Sequence, residues 1–406
     1  MPYVGRTPSA VPVTADDIPA NSIDASKIID GAIAVADVAD NAITEAKIAD
    51  AAVVSLKSGR KNLIINGAMQ VAQRGTSATG LSSAANSGYN SVDRMKFMFS
   101  GTAGTVWTQE QSTDSPPNFQ YSLKTTATTG SAIAADNLDR LEYFIEADEV
   151  HQFGYGTTTP KTSTLSFWTK SNKTGNFTVS IYNQNSTRLF TSSVTINTAA
   201  TWEYKTITIP GDTVALTGTS SAGLRIFITY GAGSNYASGT KSLDTWGTSL
   251  DSAMLYKDGT LDIGSSTNDY FSITGVQLEL GSVATDFEHR SYGEELALCQ
   301  RYYWSIKGGS THIGLGRWES NLAAITIFYP TEMRNKPTFS IDTNGLQCVV
   351  PRIAWHNVTA IQGVHQSSTK SVELWISTVS TGANELPTLM AITGAGTGWI
   401  AADAEL

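Results

Sequence analysis

The stretch Phe271–Trp304, which reads FSITGVQLELGSVATDFEHRSYGEELALCQRYYW, decides how this chain folds, because one predicted body ends in it and another begins. Val276, Leu278 and Leu280 alternate with polar residues, which is the period-2 pattern of a β-strand with one buried face and one face in water. Gly281 interrupts the pattern directly afterwards and predicts the end of the strand.

A short helix is predicted in the second half of the same stretch. Ser291 followed by Glu294 has the spacing of a capping box, in which the two residues satisfy each other's backbone N–H groups at a helix start. Leu296, Cys299 and Tyr303 fall at i, i+3 and i+7 on one helical stripe. The aromatic residues that follow favour a return to strand near residue 301. The stretch therefore predicts a closing strand, a connector helix and the start of a second body.

Length and composition bound the architecture and exclude some partners. The 406 residues exceed the ~250–300 at which a single core stops growing, so two or three folded bodies are expected. Charged residues make up 16%, against about 25% in an average globular protein, which together with abundant Ser, Thr and Gly favours an all-β chain. The net charge of −9 and the lack of a Lys/Arg cluster argue against nucleic acid as a partner. The sequence contains no run of about 18 apolar residues, so it does not predict insertion into a membrane.

The sequence holds no motif for catalysis or metal binding. The five histidines stand far apart, and neither HExxH, CxxC nor GxSxG occurs. Cys299 and Cys348 are best interpreted as small buried apolar residues. We therefore expect no enzymatic activity and assign no catalytic residue, metal ligand or cofactor.

Residues 1–20 contain four prolines and no periodicity. This predicts an extended docking arm that becomes ordered only against a partner. A plain flexible terminus is the alternative.

Residues 21–60 follow with a ten-residue repeat, NSIDASKIID, GAIAVADVAD and NAITEAKIAD, and a degenerate fourth unit. The aliphatic residues are spaced five apart, which matches neither a strand nor a heptad coiled coil. Leaving them in water would forgo roughly 1.5–3 kcal/mol each, so we expect a thin shaft in which several copies of the chain bury them together. An Ala-rich disordered linker is the alternative. The predicted shaft core consists of Ile23, Ile28, Ile33, Val38, Ile43, Ile48 and Val53.

Residues 61–290 are predicted to form the largest body. Period-2 segments separated by turn residues at a spacing of roughly 10–16 residues are typical of an antiparallel β-sandwich or barrel. Leu138–Val150, in a poorly patterned region, is interpreted as a helical insert. The clearest predicted strands are Leu165–Phe167, Phe177–Ile181, Ile207–Ile209 and Leu224–Ile228.

Residues 291–406 are predicted to hold the connector helix and a small carboxy-terminal β-sandwich. Its strands are predicted at Ala324–Tyr329, Phe339–Ile341 and Ser371–Ile376, with Gly-rich loops between them.

Three segments resemble tail-fibre proteins of tailed bacteriophages. Gln277–Trp304 is similar to the run between a jelly-roll module and a distal tip. MPYVGRTPSAVPVTADDI at Met1–Ile18 is similar to the piece that attaches such fibres to the tail, and NLIINGAMQVAQRG at Asn62–Gly75 resembles the start of their jelly roll. The resemblance implies a homotrimeric virion protein that docks to a phage tail or baseplate protein by its amino terminus. It also implies a host cell-surface glycan as partner, with the protein in the virion and outside the cell after host lysis.

The segment that begins STLSFWTKSNKTGNFTVSIYNQNS also resembles carbohydrate-binding jelly rolls attached to bacterial enzymes. Such jelly rolls commonly hold a structural Ca²⁺ bound by carboxylate and backbone oxygens, but the sequence does not locate one. The likeness leaves open an alternative function, a secreted, non-catalytic polysaccharide-binding module of a bacterial enzyme complex.

Exposed aromatic rings beside amide or carboxylate groups are the side chains that sugar binding needs. If Phe167 and Val179 point inward, Trp168 and Tyr182 point outward, next to polar residues. These two are the predicted glycan-binding residues of the larger body. The alternative is that the rings pack between subunits of a trimer.

In the carboxy-terminal body, Trp318 and Trp355 are interpreted as loop residues. His356 stands beside Trp355 and adds an imidazole. These three residues are the predicted receptor-contact residues of the distal tip.

Overall fold

The computed structural model describes residues 60–82, 84–101, 104–184, 186–215, 222–240, 242–247, 252–308, 311–319, 322–350, 354–378, 387–392 and 397–406. The predicted arm and the seven aliphatic residues of the predicted shaft core lie outside these ranges. The predicted all-β class is confirmed, because strands make up nearly all the described secondary structure. None of the described helices combines the length and apolarity that crossing a membrane requires.

The larger body is a sandwich of two antiparallel six-stranded sheets. Sheet A has the strand order β1-β3-β4-β12-β6-β9, and sheet B has the order β11-β8-β7-β10-β5-β2. The four strands predicted most clearly are confirmed as parts of β6, β7, β9 and β10. The strands are β1 (Ser77–Leu81), β2 (Lys96–Ser100), β3 (Val106–Ser112), β4 (Ser122–Thr129), β5 (Leu138–Glu146), β6 (Ser163–Ser171), β7 (Gly175–Asn183), β8 (Arg188–Ile196), β9 (Glu203–Ile209), β10 (Ala222–Ala232), β11 (Trp246–Gly247) and β12 (Tyr270–Leu280).

Aromatic side chains fill the core between the two sheets. Phe167 and Phe271 of sheet A and Phe177 of sheet B are fully buried, and the Phe177 and Phe271 rings meet edge to face at 5.3 Å. Such pairs add directional attraction to the burial of a large apolar area. Short 3-10 helices occupy connections at Ala84–Asn86, Ala147–Phe153, Ser234–Tyr236 and Ser252–Met254.

The helical insert predicted at Leu138–Val150 is wrong. Leu138–Glu146 is strand β5, which pairs with β10 on one side and β2 on the other, and all nine of its residues are buried. Leu141, Tyr143 and Ile145 face the core, but the outer face is covered as well, and the apolar Phe144 there interrupts the alternation that identifies a strand. Only the next seven residues, Ala147–Phe153, form a 3-10 helix.

The water-facing side predicted for the closing strand at Val276–Leu280 is also wrong. Gln277 and Glu279 of β12 are as fully buried as their apolar neighbours. The segment 282–290 folds over them: Glu279 accepts hydrogen bonds from the backbone N–H and hydroxyl of Thr285 at 2.9 and 2.5 Å, and Gln277 accepts one from the backbone N–H of Glu288 at 2.8 Å. The predicted strand end is confirmed, since β12 stops at Leu280.

The predicted connector helix is confirmed at Tyr292–Gln300. The Ser291 hydroxyl accepts a hydrogen bond from the Glu294 backbone N–H at 3.3 Å. Cys299 is fully buried, and the chain returns to a strand at Tyr303 as predicted.

The carboxy-terminal body is a closed six-stranded barrel, and the predicted small sandwich is wrong. The barrel order is β14-β15-β19-β18-β17-β20, and β13-β21-β16 form a separate three-stranded sheet. Bulges in β14 and β18 increase strand twist, and a Cβ at Gly316 would lie 1.8 Å from the Ala324 carbonyl oxygen. Twist and close strand approach let a single sheet close on itself. The strands are β13 (Tyr303–Lys307), β14 (Thr311–Glu319), β15 (Leu322–Phe328), β16 (Thr338–Asp342), β17 (Leu346–Val350), β18 (Ala354–His365), β19 (Ser371–Thr378), β20 (Pro387–Ile392) and β21 (Trp399–Asp403).

The last residues of the chain return to the sandwich. Glu405 forms ion pairs with Arg94 and, at 3.4 Å, with Arg74. The Arg94 guanidinium is 1% exposed, lies 3.5 Å from the Tyr302 ring and donates to the Phe144 carbonyl at 2.7 Å. The chain end therefore links the two bodies.

Candidate functional site

Trp168 and Tyr204 form an exposed aromatic pair on the outer face of sheet A. Leu165 and Phe167 of β6 point into the core, so strand alternation places Trp168 on the other face, as predicted. Tyr204 of β9 is directly opposite Trp168 in the sheet, and the ring centroids are 5.3 Å apart. Trp168 is half-buried and Tyr204 is 45% exposed.

Three more rings extend this pair into an aromatic ribbon, made up of His289, Phe287, Phe119, Trp168 and Tyr204. The ring centroids of His289 and Phe287 are 4.9 Å apart, and those of Phe287 and Phe119 are 5.0 Å apart. All five rings are half-buried or exposed. The ribbon crosses the outer face of sheet A from the segment 282–290 to the edge strand β9.

Gly275 lets the two halves of the ribbon meet. It lies at a bulge in β12 with a φ of 63°, a left-handed conformation that favours glycine. A Cβ at this position would lie 2.7 Å from Phe119 Cζ and 3.2 Å from Trp168 Cδ1. Any side chain at Gly275 would therefore push the Phe119 and Trp168 rings apart.

Charged groups border the ribbon beside Trp168. The Asp114 carboxylate accepts hydrogen bonds from Lys170 Nζ at 2.8 Å and from Trp202 Nε1 at 3.1 Å. Desolvation raises the pKa of Asp114, but the hydrogen bonds from Lys170 and Trp202 outweigh it and leave the pKa below its usual value. Asp114 is thus an ionised, half-exposed acceptor that can take further hydrogen bonds from hydroxyl groups.

This arrangement suits a ligand with flat apolar faces and hydroxyl edges. Aromatic rings stack on apolar C–H faces, and a carboxylate and an ammonium at the border accept from and donate to hydroxyls. Most ligand sites combine a largely apolar lining with few polar groups in this way.

Tyr182 does not belong to the ribbon, although it was predicted together with Trp168. It does face away from the core, but on β7 of sheet B, so the two rings lie on opposite outer faces of the sandwich. Tyr182 is 8% exposed and stacks on Phe227 at 6.0 Å. The polar neighbour Asn183 is fully buried. Strand phase predicts inside or outside, but it does not say to which sheet a strand belongs.

The tip residues are placed differently from the prediction. Trp318 lies in strand β14 and is fully buried in the barrel, where its ring meets His356 edge to face at 5.0 Å. His356 is 7% exposed. Trp318 and His356 are therefore inaccessible to a receptor in this fold, and the predicted loop position is wrong for Trp318 and for Trp355, which lies in β18. Trp355 is 57% exposed, and its receptor contact stays a prediction.

Trp355 belongs to an apolar row on the outer wall of the barrel. It pairs with Val349 of β17, which pairs with Leu389 of β20, which in turn pairs with Leu315 of β14. Leu315 is 67% exposed. Val349 is 7% exposed, so the exposed apolar groups of the row are its two ends, Trp355 and Leu315, which can serve as contacts for another surface.

Within the described residues, no group of three or more His, Cys, Asp or Glu side chains is placed to hold a metal ion. The structural Ca²⁺ therefore stays a prediction. Both cysteines are free and fully buried, as predicted, and desolvation raises the pKa of each thiol, Cys348 to about 12.

Sequence reasoning missed four of the five ribbon residues. Tyr204 could have been found, since the alternation in TWEYKTITI places it opposite the buried Ile207 and Ile209. Phe119, Phe287 and His289 lie in connections outside the strands, and no periodic signal marks them.

No protein-family model matches the sequence, and no curated protein matches it. Among solved structures, a family 4 carbohydrate-binding module is 12% identical, with 53% of this chain and 98% of the module covered and a TM-score of 0.27. The family 11 carbohydrate-binding module of a cellulosomal cellulase of Clostridium thermocellum is 12% identical, with coverage of 50% and 95% and a TM-score of 0.26. The enzymatically active domain of tailspike protein 4 of bacteriophage CBA120 is 12% identical, with coverage of 50% and 22% and a TM-score of 0.27. At these identities and TM-scores none of the three shows what this chain does. The function has to be argued from the side chains of this chain.

Proposed function

We propose that this chain is a non-enzymatic glycan-binding protein whose aromatic ribbon stacks against the sugar rings of a polysaccharide. The observation that carries the proposal is the row of five half-buried or exposed rings on sheet A, joined through Gly275 and bordered by Asp114 and Lys170. The rings supply stacking surfaces, and the border groups supply hydrogen bonds to hydroxyls.

We further propose that the glycan belongs to a bacterial surface and that the protein is a phage tail fibre. In this proposal it is a homotrimer in the virion and docks to a tail or baseplate protein through residues 1–20. Two features support self-assembly: the five-spaced aliphatic residues of the repeat need partners, and the apolar row on the barrel, with Trp355 and Leu315, offers a second surface for packing between chains.

Glycan binding by the ribbon is tested with Trp168→Ala, and Trp355→Ala tests the competing site on the barrel. Both residues are accessible tryptophans, but only Trp168 belongs to the ribbon. We expect Trp168→Ala to lower affinity on an array of neutral oligosaccharides at least tenfold, which corresponds to about 1.4 kcal/mol. The melting temperature should change little, because the ring packs at the surface. Unchanged binding in Trp168→Ala together with a loss in Trp355→Ala would move the site to the barrel.

The tail-fibre role is tested by the mass of the full chain in solution and by adsorption to bacteria. A particle of three chains that blocks phage adsorption supports the fibre. A monomer that binds polysaccharide through Trp168 would instead favour the alternative, a module of a secreted enzyme complex. The release of reducing ends from the bound polysaccharide would contradict the non-enzymatic part of the proposal.

A further inference from the structure

Arg225 lies on the outer face of sheet B, opposite to the face that carries the ribbon. In the sheet it stands between two aromatic residues, Phe144 of β5 on one side and Tyr182 of β7 on the other. Its guanidinium carbon is 4.6 Å from the centre of the Phe144 ring. Stacking on the ring holds the guanidinium close to the sheet.

The neighbouring cations, Arg140 and Lys96, pair directly with Glu142, whereas Arg225 forms no ion pair within the described part of the chain. Arg140 Nε donates to Glu142 Oε1 at 2.7 Å, and Lys96 Nζ lies 3.9 Å from the other oxygen of the same carboxylate. The Arg225 side chain makes no hydrogen bond or ion pair with any residue that the structure describes, and its Nε is buried without a partner. Glu142 is therefore already paired with two cations, and Arg225 feels its charge without pairing with it.

Partial burial has a cost for Arg225 that nearby protein groups offset only in part. Desolvation lowers the pKa of its guanidinium, although the Glu142 carboxylate raises it. Arginine nevertheless stays charged at any physiological pH, so the positive charge remains on this face. A guanidinium presents parallel N–H donors in a fixed plane that matches the oxygens of a carboxylate or phosphate.

Tyr182 offers a second donor beside Arg225. Its ring is held by stacking on Phe227, and among the described residues its hydroxyl has no hydrogen-bond partner. The ring is nearly buried, but its hydroxyl oxygen reaches the surface. Since Tyr182 is the direct neighbour of Arg225 in the sheet, its hydroxyl and the guanidinium together offer the donors that an oxyanion needs.

We propose that Arg225 and Tyr182 bind the oxyanion of an acidic sugar, a carboxylate or a phosphate group, at a site separate from the ribbon. This inference rests on the proposed function only in taking the ligand to be a glycan. The chain would then recognise an anionic surface polysaccharide, with neutral sugar faces on sheet A and an acidic substituent on sheet B.

The test uses the full chain and three probes: glucuronate for the carboxylate, inorganic phosphate for the phosphate, and glucose as the neutral reference. Binding is measured by calorimetric titration at low and at high salt. We expect saturable binding of at least one anion, weakened by salt, and none of glucose at this site. Arg225→Gln should weaken anion binding at least tenfold, and Tyr182→Phe should weaken it less.

Lys124→Gln is the matched control. Lys124 also lies over an aromatic ring, Tyr270 at 5.0 Å, and its loss changes the net charge equally, but it stands on sheet A. Its anion affinity should stay within twofold of that of the wild type. Equal effects of Arg225→Gln and Lys124→Gln, or no binding of either anion to the wild type, would overturn the proposal. The two proposals fail separately, because loss of neutral-glycan binding in Trp168→Ala says nothing about the anions, and anion binding says nothing about the ribbon.

Discussion

Glu405→Gln should destabilise the joint between the two bodies. The carboxylate of Glu405 is 5% exposed and neutralises Arg94, which is 1% exposed, and Arg74, which is 10% exposed. The amide of glutamine has nearly the same shape but no charge. The substitution would leave two buried guanidinium groups with less negative charge to balance them.

The size of the effect follows from what Arg94 retains. Removing one partner of a buried ion pair costs about 3–5 kcal/mol, because the remaining charge stays desolvated. Arg94 keeps the hydrogen bond to the Phe144 carbonyl at 2.7 Å and the Tyr302 ring at 3.5 Å, so we expect the lower end, about 3 kcal/mol. For a body of this size that corresponds to a fall of roughly 6–12 °C in melting temperature.

Differential scanning calorimetry measures this loss, and Glu294→Gln is the control. Glu294 pairs with Arg60 at 2.5 Å in the same joint, but both side chains are about half exposed, at 44% and 50%. An exposed pair contributes roughly 0–1 kcal/mol. Equal melting temperatures for the two variants would refute the view that the buried chain end holds the joint together. The same reasoning predicts that a chain cut after residue 304 is less stable than the intact protein.

Three further predictions concern the ribbon, pH and the shaft. Gly275→Val should weaken glycan binding at least tenfold in the array assay, because the new side chain separates two ribbon rings; Gly80→Val shares the positive φ but has open space, so it should leave binding intact. Desolvation raises the pKa of Asp93 from 3.8 to about 6, so the folded state holds this proton more tightly and stability falls by roughly 3 kcal/mol as pH rises from about 4 through 6. Asp93→Asn should remove this component from urea unfolding measured across that range, and an unchanged slope would contradict it. Ile33→Asp with Ile43→Asp should prevent chain assembly, seen as monomer mass by light scattering, because unpaired buried carboxylates cost several kcal/mol per chain; a trimer of normal stability would rule out the shaft.

Features that depend on neighbours along the chain were predictable from the sequence. The capped helix after Ser291, the strand end at Gly281 and strand β6 all rest on local rules: a cap satisfies nearby N–H groups, glycine relaxes φ, and side chains alternate across a strand. For the same reason the outward position of Trp168 was predictable.

Features that depend on what covers a residue were decided only by the tertiary structure. The apolar Phe144 interrupts the alternation of strand β5 because the outer face of that strand is covered as well, and Gln277 and Glu279 are buried because a later segment folds over them. Trp318 has polar and glycine neighbours in sequence yet fills the barrel.

The candidate sites show the same division. Local alternation placed Trp168 and Tyr182 outside the core, but the order of strands assigned them to opposite sheets. Phe119 and Phe287 reach the ribbon from two distant connections that meet beside Gly275. The sequence by itself determined which side of each strand faces the core, because that depends on the local backbone. Only the tertiary structure decided which surfaces lie side by side, because pairing between distant strands has no local signal.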